Sequence, residues 1–116
     1  MLIEQVSAVD CYNLRESVLR QGQPKENWTF EADDDLRTIH LAINNGEEIV
    51  GVVSLLPEKN EAVPSHPWRL RGMAIKEEYQ GRGWGQKLLV ALLAKKNNGV
   101  WCTARKHVAE FYLKNG

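Results

Sequence analysis

The chain has 116 residues, of which 43% are hydrophobic and 26% charged, and its 15 basic residues balance 15 acidic ones. This length predicts one domain over residues 1–116, and the zero net charge argues against a nucleic-acid or polyanion surface. We expect no signal peptide, because the N-terminus lacks a basic region, and no apolar stretch is long enough to span a bilayer. With Cys11 and Cys102 expected to be reduced, these features favour a cytoplasmic protein.

The first third of the chain is predicted to hold a strand, a helix and a long loop. Residues 1–6 alternate in polarity, which is typical of a strand. Ser7 is placed to cap a helix over residues 8–20, where apolar residues recur at helical spacing. Residues 21–35 contain a glycine, a proline and three consecutive aspartates, so we expect a loop. Long loops inside compact domains are often functional.

Three strands are predicted next. Residues 36–43 and 48–56 are rich in apolar residues and flank Asn45-Gly46, a strong hairpin signal. A polar loop with prolines, residues 57–67, separates them from a third strand over residues 68–75.

The last third of the chain predicts a helix, a strand and a further helix. A helix over residues 83–96 is stopped by Asn98-Gly99. Residues 100–104 form the next strand, and a second helix covers residues 106–114. The order is β α β β β α β α, which predicts an α/β fold with an antiparallel hairpin feeding one parallel, right-handed βαβ unit.

The segment Gln80-Gly81-Arg82-Gly83-Trp84-Gly85 lies between a predicted strand and a predicted helix. Its glycines permit a tight turn and let an anion approach the backbone, while the first turn of a helix offers free N–H groups and a positive dipole end. This arrangement suits a phosphate, with Arg82 as an added cation. A glycine-rich loop that only packs closely remains the alternative.

Two other phosphate motifs do not fit this segment. A P-loop nucleotide triphosphatase requires a Gly-Lys-Ser/Thr ending, which is absent. A dinucleotide-binding fold places its first glycine at the end of the strand, whereas residues 76–79 intervene here.

Several blocks of sequence resemble the GNAT superfamily of acetyl-CoA-dependent N-acetyltransferases. The acetyl-CoA motif of that family resembles Arg71-Gly72-Met73-Ala74-Ile75, then Tyr79-Gln80-Gly81-Arg82-Gly83-Trp84-Gly85 and Leu88-Leu89. The family's next strand and helix resemble Trp101-Cys102-Thr103-Ala104-Arg105 and Phe111-Tyr112-Leu113-Lys114-Asn115-Gly116. The resemblance covers about the C-terminal half of the chain and implies a mixed, mostly antiparallel sheet with helices on both faces.

The resemblance also implies a role for each matching residue. The backbone amides of Arg82, Gly83, Trp84 and Gly85, with Gln80 and Gly81 leading into them, are expected to hold the CoA pyrophosphate. Main-chain groups of Met73, Ala74 and Ile75 are expected to line the pantetheine arm in a splay between two parallel strands. The Met73 amide would also polarise the thioester carbonyl.

Tyr112 matches the tyrosine that often protonates the departing thiolate in this family. Without the resemblance, we would interpret it as a packing residue on an amphipathic helix. Thr103 stands where many relatives have Asn, so any hydrogen bond made there differs. Relatives also continue beyond the position of Gly116 with two further strands, so we expect a fragment, a chain covered by a partner, or a degenerate protein.

The reaction implied by the resemblance is the transfer of an acetyl group from acetyl-CoA to an amine that the sequence does not identify. The general base is not identified by the sequence. A non-catalytic acyl-CoA-binding module and a plain interaction domain remain the alternatives. The strand over residues 100–104 is expected at an open sheet edge, which predicts a homodimer.

The remaining polar residues are given structural interpretations. His40 lies among apolar neighbours and is expected to be a satisfied buried or half-buried histidine rather than a base. The run Asp33-Asp34-Asp35 is expected to be a solvated loop and a cap at the entry of a helix or strand, with a rim that attracts a cationic acceptor as the alternative. No His/Cys cluster has metal-ligand spacing, so no metal site is predicted. Cys102 is interpreted as a packing residue rather than an acyl-carrying nucleophile.

Overall fold

The described part of the chain is built on one five-stranded sheet. The computed structural model describes residues 1–62, 64–96 and 99–102. Its strands lie in the order β1-β2-β3-β4-β5, with bounds β1 Leu2–Val6, β2 Ile39–Asn44, β3 Ile49–Pro57, β4 Trp68–Ile75 and β5 Val100–Trp101. The first three pairings are antiparallel and the β4–β5 pairing is parallel. The predicted mixed, mostly antiparallel α/β fold is confirmed.

Helices pack on both faces of this sheet. Helix α1, Ala8–Leu14, covers one face through a cluster that includes Cys11 and Ala74. Helix α2, Trp84–Lys95, covers the opposite face through Leu88, Leu89 and Leu92, which join apolar residues of β2, β3 and β4. No helix in residues 1–62, 64–96 and 99–102 is long and apolar enough to cross a membrane.

Helix α1 begins where the sequence predicts and then widens. The Ser7 N–H donates to Asp10 Oδ2 at 3.2 Å. Ser7 and Asp10 form a capping box, in which the side chain of each residue faces the backbone N–H of the other. After Leu14 the chain continues as a π-helical segment, Arg15–Leu19. The predicted helix over residues 8–20 is therefore confirmed in extent, but its second half is wider than an α-helix.

The β2–β3 hairpin differs from the prediction at its ends. Strand β2 begins three residues later than predicted, because Thr38 is tied back to the preceding loop by its N–H to Asp35 O and its hydroxyl to Ala32 O. The predicted Asn45-Gly46 turn is present but lies in a four-residue connection, residues 45–48. Its Asn45 side-chain oxygen accepts the N–H groups of residues 47 and 48.

Strand β4 has the predicted bounds and carries a bulge. Val52 pairs with Ala74 and Ser54 with Arg71, so Gly72 and Met73 together oppose one residue of β3. Gly72 has φ of +70°, a conformation that favours glycine. The extra residue resets the alternation of faces: Leu70 and Met73 both face the α2 side, while Arg71 and Ala74 face the α1 side.

The C-terminal elements are described only in part. Helix α2 begins one residue later and ends one residue earlier than predicted, with Gly83 as its N-terminal cap. Strand β5 is shorter than the predicted residues 100–104, because Cys102 lies beyond its last paired residue. Residues 103 and 104 and the predicted helix over residues 106–114 lie outside the described residues.

Candidate functional site

The loop between β4 and α2 brings the predicted phosphate-binding residues together. A single 3₁₀ turn, Glu77–Tyr79, leads into it from the end of β4. Gly81 and Gly83 have φ of +74° and +83°, and a Cβ added at either would meet no atom within 4 Å. These two glycines are therefore required by the backbone conformation rather than by close packing, and the space beside them is open.

Gly85 has a different role from the two glycines before it. A Cβ at this position would lie 3.3 Å from Met73 Sδ, so the first turn of α2 packs closely on β4. Close packing thus explains Gly85, whereas it does not explain Gly81 and Gly83.

The N-terminus of α2 offers donors and positive charge beside this loop. The Lys87 N–H donates to Gly83 O at 3.2 Å, so the N–H groups of Trp84, Gly85 and Gln86 precede the first intrahelical bond. Lys87 Nζ lies 4.2 Å from the centroid of the Trp84 ring, and Arg82 is exposed. Free amides and the positive end of the helix dipole therefore lie where an anion is expected, and the loop and the first turns of the helix also carry two cationic residues.

Gln80 fixes the loop to the end of β4. Its Nε2 donates to the Ile75 carbonyl oxygen at 2.8 Å. The Lys76 N–H bonds to Val50 O, and because hydrogen-bonded residues alternate along an antiparallel strand, the main-chain groups of Ile75 turn away from β3. They point toward the side of β4 on which β5 lies.

Strands β4 and β5 pair only at their beginnings. Trp68 pairs with Val100 and Arg69 with Trp101, and no later β4 residue has a β5 partner among the described residues. The edge of β4 over Met73, Ala74 and Ile75 is thus not paired with β5 in this part of the chain. Such an edge can pair with an extended ligand as it would with a strand.

The long loop before β2 lies against the bulge of β4. The guanidinium carbons of Arg15 and Arg71 lie 3.9 and 3.8 Å from the centroid of the Phe30 ring. Two guanidinium groups cannot occupy one face of a ring at this distance, so Phe30 is held between them. A Cβ at Gly72 would lie 2.9 Å from Phe30 Cε2. The ring therefore rests on the backbone of the bulge.

Asp33 is buried and paired, so the prediction of a fully solvated aspartate run is wrong. Its two carboxylate oxygens accept hydrogen bonds of 2.8 Å from the two terminal nitrogens of Arg15, which is itself completely buried. The partners lie 18 residues apart, so no local pattern indicated the pair. Asp34 is exposed, and hydrogen bonding to Arg37 lowers the pKa of Asp35 to about 2.

The same network satisfies His40. Its Nδ1 lies 2.6 Å from Ser54 Oγ and its Nε2 lies 2.9 Å from the Asp33 carbonyl oxygen. Arg15 also donates to Ser54 Oγ at 3.0 Å. The interpretation of His40 as a satisfied buried histidine is confirmed, and the network joins the long loop to β2, β3 and the helical segment after α1.

Comparison with known proteins identifies the family. The sequence model of the acetyltransferase (GNAT) domain matches residues 35–116. The chain belongs to the GNAT acetyltransferase family. YitI of Bacillus subtilis (strain 168), described as an uncharacterized N-acetyltransferase, is 29% identical over 119 residues, which are 98% of this chain and 80% of that protein. The predicted family and the N-acetyltransferase class are therefore confirmed.

Solved structures share the fold of this GNAT domain. Escherichia coli ElaA matches with a TM-score of 0.79 at 17% identity, over 99% of this chain and 85% of that chain. AAC(6′)-Iy in complex with the bisubstrate analogue CoA-S-monomethyl-acetylneamine matches with a TM-score of 0.73 at 13% identity, over 97% and 86% of the two chains.

The remaining predicted residues of the GNAT domain are placed as follows. Tyr112 lies outside the described residues, as does Thr103. Cys102 is half-buried against the α2-side core, and burial raises the pKa of its thiol, which fits a packing residue. Cys11 is fully buried, and burial raises the pKa of its thiol to about 11. Among residues 1–62, 64–96 and 99–102, no group of three His, Cys, Asp or Glu side chains is arranged to hold a metal ion.

Proposed function

We propose that this GNAT domain transfers the acetyl group of acetyl-CoA to an amine. The observation that carries the proposal is the open loop with Gly81 and Gly83, which stands at the N-terminus of α2 beside the β4 edge that has no β5 partner among the described residues. A phosphate suits the loop, and an extended amide-containing arm suits the edge. The bound CoA bisubstrate analogue of AAC(6′)-Iy, which shares the fold, supports this choice of co-substrate.

The proposal assigns acetyl-CoA to the residues predicted from the sequence. The pyrophosphate would accept hydrogen bonds from the amides of residues 82–85, with Arg82 as an additional cation. The pantetheine arm would run along Met73, Ala74 and Ile75. Because the Gln80 amide already occupies the Ile75 carbonyl oxygen, Gln80 would share that oxygen with the incoming arm or release it.

The chemistry is direct attack of the amine nitrogen on the thioester carbonyl carbon. A C–N bond forms and the C–S bond breaks. The nitrogen loses one proton to solvent, and the CoA thiolate takes one, for which we propose Tyr112 as the donor. The amine must first be neutral: an amine of pKa ~10.4 is neutral only about 0.04% of the time at pH 7, a cost of roughly 4–5 kcal/mol. The Met73 amide would stabilise negative charge on the carbonyl oxygen, and positioning of both substrates supplies further acceleration.

Calorimetry with acetyl-CoA tests the cofactor site through a matched pair of glycines. Gly83→Asp adds bulk and negative charge where the pyrophosphate is expected, and we expect a loss of affinity of about 100-fold. Gly46→Asp is the control, because Gly46 also has positive φ and open space at its Cβ but lies in the β2–β3 connection. Equal affinities for the two variants would place the cofactor elsewhere.

A thiol-release assay over a panel of amines tests the reaction itself. Release of CoA that depends on an amine supports N-acetyl transfer. Tight acetyl-CoA binding without release by any amine would instead support a non-catalytic acyl-CoA-binding module. The predicted homodimer belongs to the same proposal, with the outer edge of β5 as the pairing surface.

A further inference from the structure

Positive charge is concentrated on the α1 face of β4, next to the bulge. Arg69 and Arg71 are two residues apart on this face, and Phe30 brings the guanidinium of Arg15 to the other side of its ring from Arg71. The pKa of Arg71 is lowered, first by burial and then by the charge of Arg69, with Arg15 and Arg20 adding to the effect. The charges of Arg15, Arg20 and Arg69 therefore all act on the guanidinium of Arg71.

The carboxylates nearby balance only part of this charge. Asp33 is bound by Arg15 at 2.8 Å, and Glu58 Oε2 is bound by Arg69 at 2.8 Å. The nearest carboxylate oxygen to Arg71 is Glu58 Oε1, at 4.0 Å, and it belongs to the group that already pairs with Arg69. Within the described part of the chain, Arg71 makes no side-chain hydrogen bond. About 30% of its side chain is exposed, so a ligand can reach it.

Arg71 also lies just beyond the β4–β5 pairing that the structure describes. Within residues 1–62, 64–96 and 99–102, Arg69 is the last β4 residue that pairs with β5, and the bulge at Gly72 and Met73 follows Arg71 directly. A pantetheine arm along the edge of β4 would therefore bring its acyl end near Arg71. The α2 side of this stretch is occupied by core residues such as Leu70, so an acceptor amine would approach from the face that carries Arg71 and Phe30.

We propose that the acceptor is a small amine that carries a carboxylate or phosphate group, and that Arg71 binds this anion. The inference rests on the proposed acetyl transfer and names the class of acceptor. The planar fork of a guanidinium matches carboxylate and phosphate oxygens bidentately. The Phe30 ring covers one side of the guanidinium at 3.8 Å, and within the described part of the chain the N–H groups of Arg71 have no hydrogen-bond acceptor. An anion would also relieve the repulsion within the arginine cluster.

The test compares amines that differ only in the anion. The matched pairs are β-alanine against 3-aminopropanol, and 2-aminoethyl phosphate against 2-methoxyethylamine, in the acetyl-CoA thiol-release assay. We expect kcat/KM to be about 10- to 100-fold higher for the anionic member of the preferred pair, the range of one charge-assisted interaction. The two pairs distinguish a carboxylate from a phosphate preference.

Variants of Arg71 connect that preference to this residue. Arg71→Gln is expected to raise the KM of the anionic amine about 10- to 100-fold and to leave the neutral amine nearly unchanged. Arg71→Lys retains the charge but loses the fork, so part of the preference should remain. Arg37→Gln is the control, because Arg37 is exposed and pairs with Asp35 on the surface.

A binding measurement keeps the inference separate from the proposed function. Calorimetry on the CoA-saturated protein with β-alanine and with 2-aminoethyl phosphate should show binding that weakens in Arg71→Gln and not in Arg37→Gln. Such binding without thiol release would refute acetyl transfer while supporting the anion site. Thiol release with equal preference for neutral and anionic amines, or anion binding that Arg71→Gln leaves unchanged, would overturn the assignment of Arg71.

Discussion

Arg15 and Asp33 form a buried ion pair that ties two distant parts of the chain together. Arg15 is the largest of the fully buried side chains in the described residues, and both terminal nitrogens bond to the Asp33 carboxylate. Its Nε has no hydrogen-bond partner within that part of the chain. Removing either partner would leave the other as an unpaired buried charge, which is costly. The pair therefore fixes the position of the loop, although its net contribution to the free energy of unfolding is small.

Asp33→Asn is expected to destabilise the domain by about 3–5 kcal/mol, because it leaves the buried Arg15 without a countercharge. Asp34→Asn is the control, since Asp34 is exposed in the same run and should change stability by no more than about 0.5 kcal/mol. Urea denaturation of both variants measures the difference. Equal stabilities would mean that Arg15 finds another counterion or moves into solvent.

Tyr112→Phe is expected to lower turnover by about 100-fold or less while acetyl-CoA affinity stays nearly constant. A phenol of pKa near 10 is protonated at pH 7 and can donate to a thiolate, whereas the phenyl ring cannot. Steady-state kinetics and calorimetry on the same variant separate the two effects. Turnover equal to that of the unchanged protein would leave water as the proton donor.

At the scale of the elements, local patterns predicted strands well and missed the bulge. The bounds of β4 were predicted to the residue, since apolar content and flanking turns define them. Between Leu70 and Met73, one extra residue interrupts the alternation of side chains between the two faces of the sheet. Only the pairing with β3 shows which residues form the bulge. A single inserted residue changes which side chains share a face of the sheet. The alternation of polar and apolar residues in the sequence did not predict this bulge.

Gly72→Ala tests the close contact at the bulge. Alanine at positive φ costs about 1–2 kcal/mol, and the collision with Phe30 Cε2 should add about 1–3 kcal/mol. Gly22→Ala has nearly the same backbone cost without a collision, because its φ is +73° and nothing lies within 4 Å of its added Cβ. Thermal or urea denaturation should therefore show Gly72→Ala as the less stable variant. If the two variants are equally stable, Phe30 moves aside without cost.

At the scale of the whole molecule, the sequence indicated the glycine-rich loop before α2 as a candidate site and missed the contact of Arg71 with Phe30. The glycine pattern and its place between a strand and a helix are contiguous in sequence, so they could be recognised directly. Arg71 and Phe30 lie 41 positions apart, and their contact depends on the path of the long loop across the sheet. In the sequence alone, neither an arginine at position 71 nor a phenylalanine at position 30 indicates that the two side chains meet.

The outer edge of β5 is predicted to mediate a homodimer. In residues 1–62, 64–96 and 99–102, β5 is the last strand of the sheet and pairs only with β4. An uncovered edge exposes main-chain N–H and C=O groups that can pair with a second copy about a two-fold axis. Light scattering over a range of micromolar concentrations should give a dimer mass. A monomer mass that does not change with concentration would contradict this prediction.

The anchoring of the long loop limits how this domain can diversify. Asp33 in the loop is hydrogen-bonded to Arg15 through its carboxylate and to His40 through its main-chain carbonyl, and Arg15 in turn donates to Ser54. The three partner residues belong to three other elements. A loop that is taken from a relative and lacks an equivalent carboxylate would leave the buried Arg15 cation without a counterion. Changes of acceptor preference are therefore expected to arise by substitution within the existing loop, or by joint replacement of loop and anchors, rather than by exchange of the loop alone.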